Sequence, residues 1–125
     1  MTTFPRFFQH NDGNFLYVVK PPITKEQFLY ETVGWLTATQ VDGIIFHMFT
    51  FGDCVPLYHS ELAAAAPVFP AKAHSVMTWK AIRNFKALTA FDQDPWTLAI
   101  DLAHSQGKPF WAAMRFNDAH PGQYG

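Results

Sequence analysis

One cysteine, Cys54, in a chain of 125 residues leaves no material for an internal disulfide or a zinc-type cysteine pair. Charge is sparse too: 15% of residues are charged, the formal net charge is −1, and Lys and Arg form no run. That composition lacks the electrostatic footprint with which proteins hold nucleic acid or an anionic membrane surface, so neither is expected as a partner. Long apolar runs are also missing; none approaches the roughly 18 residues that mark a membrane-spanning helix. The start, MTTFPRFFQHNDG, lacks the apolar centre of a signal peptide. With Met1 as the first residue, a cytoplasmic protein is the default expectation. No cofactor is called for.

What the chain has in quantity is ring surface. Aromatic residues make up 17% of it, with 13 Phe and 4 Trp, and 49% is hydrophobic. A chain of this length can bury a real core, and this one is too apolar to be disordered.

Phe7-Phe8 reads as a short strand over 7–10, and Asp12-Gly13 as the turn that follows. Asn14 to Val19 reads as a second extended apolar run, stopped by Pro21-Pro22. Thr24 with Gln27 three residues on is a capping box. Phe28, Leu29, Val33 and Leu36 then recur at helical spacing, which predicts a helix over 25–39 with Gly34 inside it. Asp42-Gly43 turns into the apolar run 44–50, a strand covered on both faces and so suited to a parallel sheet. Between 50 and 90, Leu62 to Ala66 offers one or two helical turns before Pro67. Thr78 to Leu88 carries Trp79, Ile82, Phe85 and Leu88 as a helical stripe.

The clearest unit comes last. Asp94-Pro95 starts a helix over 95–106, with Trp96, Leu98 or Ala99, Leu102 and Ala103 inward, and Asp101 and Gln106 toward water. Gly107 ends it, and Pro109 opens a strand over 110–116. That strand is apolar until Arg115, Asn117, Asp118 and His120 crowd its end; Pro121 to Gly125 is loop. Strand, helix, strand, helix, strand is the repeating pattern of a parallel α/β protein, whose ligands meet the carboxyl ends of the strands.

The segments Phe7-Phe8-Gln9-His10-Asn11-Asp12-Gly13, VDGIIFHMF and DPWTLAIDLAHSQGKPFWAAMRFNDAH resemble the N-terminal part of bacterial glycoside hydrolase-like TIM barrels. In that family an N-D-G motif near the start is followed by a helix-to-strand segment. Its counterparts here are Ala103-His104, Gly107, Phe110, Arg115, Asn117 and Asp118. The resemblance implies the α/β class and a partial (β/α)8 barrel: residues 1–125 as one N-terminal segment holding the first three parallel strands with their helices. A whole barrel takes about 250 residues. It also implies a carbohydrate ligand. The two carboxyl groups that glycoside hydrolysis needs lie on later strands in such barrels, so the catalytic residues are unassigned and this chain alone is expected to be inactive.

Asn11, Asp12, His47, Arg115, Asn117, Asp118 and His120 are the candidate substrate-binding residues. All but His120 have a plainer alternative. Asn11 and Asp12 suit a turn, His47 a hydrogen-bonded core histidine, Arg115 an ion pair with Asp118 or Asp12, and Asn117 and Asp118 a loop capped by local hydrogen bonds. His104, in the last turn of its helix, suits the dipole. Two other functions stay open. One is a metal-dependent hydrolase using His10, His47, Asp118 and His120, although no H-x-H or H-E-x-x-H spacing occurs. The other is a small non-catalytic binding module that self-associates through the aromatics of 46–58 and 110–116. Either the remainder of a barrel or a homo-oligomer is expected to cover the exposed sheet.

Overall fold

The computed structural model describes residues 4–47, 49–50, 55–56 and 75–113. In chain order these form β1 (Phe8–Asn11), α1 (Phe15–Val18), α2 (Lys25–Thr32), a 3-10 turn (Gly34–Leu36) and β2 (Gly43–His47). β3 (Phe49–Thr50), β4 (Val55–Pro56), α3 (Val76–Thr89), α4 (Pro95–Ser105) and β5 (Phe110–Ala113) follow. β1, β2 and β5 make a parallel sheet in the order β1-β2-β5, and β3 pairs antiparallel with β4. The class is mixed α/β. Cys54, the Leu62–Ala66 turns, the continuation of the last strand to 116 and the final loop lie outside the described residues, as do Arg115, Asn117, Asp118 and His120.

Register fixes which side chains share a face. Gln9, Ile44 and Phe110 stand in one row, and Asn11, Phe46 and Ala112 in another. By the two-residue period of a strand these rows point to the same side. Ile44, Phe46 and Phe110 all pack into one apolar core together with Phe15, Phe28, Phe85, Trp96 and Ala99 from the described helices. The opposite face carries Phe8, His10, Ile45, Trp111 and His47, and of these none belongs to that core. Among the described residues, then, the helices cover one face of the sheet. The expectation that both faces of the middle strand are covered holds for its burial, with Gly43, Ile44, Phe46 and His47 buried and Ile45 half-buried, but not for its helices.

The predicted strand 44–50 divides. Its first part, 43–47, is the middle of the main sheet, whereas Phe49–Thr50 changes partner to β4. His47 closes the first part, and no glycine or proline separates it from the second, so the run reads as one strand.

Residues 14–18 are not extended, contrary to the sequence reading; only Val19 is. Asn11 Oδ1 accepts from the Gly13 amide at 2.9 Å and Asp12 Oδ1 from the Asn14 amide at 3.3 Å. Gly13 takes a φ of 79°, and the chain closes into one helical turn. These side-chain bonds offer the backbone an alternative to a ladder. Phe15 and Leu16 go inward and Val18 outward, so two successive residues are buried, as a helical turn allows and an alternating strand does not.

α2 begins where the capping box places it, with the Thr24 hydroxyl accepting from the Gln27 amide and the Gln27 side chain from the Thr24 amide. It ends early, at Thr32 and not at 39. The Thr32 hydroxyl donates back to the Phe28 carbonyl at 2.8 Å, a bond that competes with the regular ladder. Val33 and Gly34 then tighten into the 3-10 turn. At Gly34 a Cβ would sit 3.3 Å from the Leu29 carbonyl oxygen, so the close approach is to its own helix and not to a neighbouring element.

α3 is longer than predicted because the Ser75 hydroxyl accepts from the Thr78 amide and starts it earlier. Its inward stripe is Ala81, Asn84, Phe85 and Leu88, with Trp79 exposed and Arg83 lying 5.9 Å above its ring. A strict three-residue spacing drifts around a helix; nine residues at about 100° each put Trp79 half a turn from Leu88. α4 follows the prediction, with Asp94 accepting from the Thr97 amide at 2.8 Å, Pro95 in the first turn, and Trp96, Ala99 and Ala103 buried. Gly107 has a φ of 69°. Gln106 does not face water as expected: it is half-buried and donates to the Thr37 hydroxyl at 2.9 Å.

Rings hold the middle of the core. Trp96 meets Phe46 at 4.7 Å and Phe28 at 5.2 Å between centroids, and Phe46 stacks on Phe110 at 6.0 Å. Such pairs contribute roughly 0.5–1.5 kcal/mol each beyond the area they bury. Among the described residues Asn84 is the one fully buried side-chain amide, and it ties α3 to α1 and the segment after it. It donates to the Leu16 and Val19 carbonyls at 3.0 and 2.9 Å and accepts from the Ile23 amide at 2.9 Å. Nothing in the sequence singles Asn84 out, because its partners lie more than sixty residues away.

Candidate functional site at the carboxyl ends of the strands

A parallel sheet gathers all its carboxyl ends on one rim. Here β1 ends at Asn11, β2 at His47 and β5 at Ala113, and His47 stands beside Ala113 in the register. Asp12 follows Asn11 directly. Arg115, Asn117, Asp118 and His120 come soon after Ala113 in the chain, outside the described residues.

The residues of this rim differ in what they have free. Asn11 shares a row with core residue Phe46, and each end of its amide has a backbone partner. Nδ2 donates to the Glu31 carbonyl at 3.0 Å, and Oδ1 accepts from Gly13. It ties the end of β1 to the last turn of α2 and shapes the turn. Asp12, half-buried, accepts from the Asn14 amide and, at 2.9 Å, from the Asn14 side chain. Its two oxygens are oriented by one neighbour and retain lone pairs.

His47 is 6% exposed and points to the helix-free side. His10 lies on that side too, one row back, and is exposed. Their rings meet edge to face, with centroids 6.5 Å apart. Imidazoles sharing a tetrahedral ion stand closer, roughly 5 Å between centroids for metal–nitrogen bonds of about 2 Å. Among the described residues no group of three or more His, Cys, Asp or Glu could hold a metal ion. Asp118 and His120, the other members of that hypothetical set, lie outside them.

Behind the histidines the same face is aromatic. Phe8 stacks on Trp111 with centroids 4.7 Å apart, and Phe4 tilts against Trp111 at 6.0 Å. Trp111 remains 38% exposed. The face thus runs from a polar rim to a ring-lined floor. The sequence reading has Trp111 in an interaction platform of the aromatics of 46–58 and 110–116, without Phe4 and Phe8, and has His10 as a metal ligand only. Their sharing a face with His47 depends on register, which is invisible before pairing is known.

The opposite end of the sheet is structural. Asp42, entering β2, accepts from the Phe7 amide at 2.8 Å and from the Arg6 amide at 3.0 and 3.1 Å. The amides of Arg6 and Phe7 hold its carboxyl below the usual aspartate range. Buried Lys108 donates its Nζ proton to the Val41 carbonyl nearby. Glu26, in the first turn of α2, is also held low, chiefly by its backbone amide and then by the Thr24 side chain.

Set against protein-family models, curated proteins and solved structures, the chain matches none. Among the described residues no helix is long and apolar enough to cross a membrane.

Proposed function

We propose that this chain forms part of a glycoside hydrolase-like (β/α)8 barrel and binds carbohydrate at the carboxyl rim of its strands. The observation that carries the reading is the one-sided sheet: three parallel strands whose described helices all pack on one face. Doubly wound sheets carry helices on both faces, whereas a barrel keeps one face for its interior. In this reading the face of Phe8, Ile45, Trp111 and His47 is that interior. Sugars present hydroxyl groups that both donate and accept, and Asp12, His47, Arg115, Asn117, Asp118 and His120 are assigned to them, with Asn11 holding the turn that aims Asp12. The reading is one of binding, and no hydrolytic step is assigned to these residues. It includes a cytoplasmic location, where the lone Cys54 stays reduced.

The test is calorimetric titration with a panel of neutral and acidic oligosaccharides, repeated on Arg115→Ala and His47→Gln. Loss of binding with an unchanged melting temperature supports the site; unfolding of Arg115→Ala, or no binding by the unaltered chain, counts against it.

A second reading has its own observation. Phe4 is 80% exposed and adjoins Trp111 on the helix-free face. The outer edges of β1 and β5 have no strand partner among the described residues. A non-catalytic module that self-associates through this face fits those facts. Light scattering over a range of concentrations separates the two, since a concentration-independent monomer contradicts self-association.

A further inference from the structure

We draw no further inference here: the strongest candidate, the helix-free sheet face carrying Phe4, Phe8 and Trp111, is an unpartnered apolar surface, and nothing in the structure shows what covers it.

Discussion

Phe8 and Trp111 stack at 4.7 Å although their strands are not neighbours. β2 runs between them, and two strand spacings of about 4.8 Å would ordinarily hold such rings apart. They lean together over Gly43, the register partner of Phe8, where no side chain intervenes. A Cβ there would lie 2.8 and 2.9 Å from atoms of the Phe8 ring and 3.0 Å from the Pro5 Cβ.

Gly43→Ala therefore pushes the Phe8 ring off Trp111. The half-exposed Phe8 has room to move, so the cost is at the low end for overpacking, about 1 kcal/mol. In an amide-correlation NMR spectrum the Trp111 indole resonance shifts while that of Trp96, on the other face, stays in place. An unmoved Trp111 resonance with unchanged stability contradicts this packing.

Asn84 offers a harsher test. Asn84→Leu fits the volume but strands the Ile23 amide and the Leu16 and Val19 carbonyls in the core, costing about 3 kcal/mol. Asn84→Asp is at least as damaging near neutral pH. Its carboxylate still accepts from Ile23 but faces two carbonyl oxygens with no proton to give. Urea denaturation measures both, and an Asn84→Asp chain as stable as the parent would refute the clamp.

Local chemistry made part of this fold legible in advance. The Thr24–Gln27 box, the Asp94-Pro95 start and the Gly107 stop act within a few residues, and each falls where the sequence places it. The parallel pairing was legible too, since 43–47 is apolar at nearly every position. Thr32 ends α2 by a bond its sequence permits without requiring, and Asn11 and Asp12 bend 14–18 into a helical turn where apolar content alone suggests a strand. At the rim, neighbours such as His10 and His47 are set by register between distant strands, which no spacing along the chain encodes.

Asp42 gives a pH dependence with a definite sign. Its folded-state pKa lies below the ordinary value, so folding favours the charged form. The stabilisation is complete above the unfolded aspartate pKa of about 3.9 and is lost as pH falls through the folded value. Asp42→Asn keeps one acceptor oxygen and cannot titrate. Its stability deficit relative to the parent is largest near neutral pH and shrinks with acidification below about pH 4. Urea midpoints measured for both chains across this range decide it; a deficit independent of pH contradicts the assignment.

Sugar binding at the carboxyl rim of this one-sided parallel sheet is our proposal. Its most direct test is an amide-correlation NMR titration of the chain with the oligosaccharide panel. Chemical-shift changes are expected at Asp12, His47, Arg115, Asn117 and Asp118, with Asp42, Lys108 and the outer surface of α4 unaffected. A spectrum that no sugar perturbs, or perturbations gathered around Asp42 and Lys108 at the other end of the strands, would contradict it.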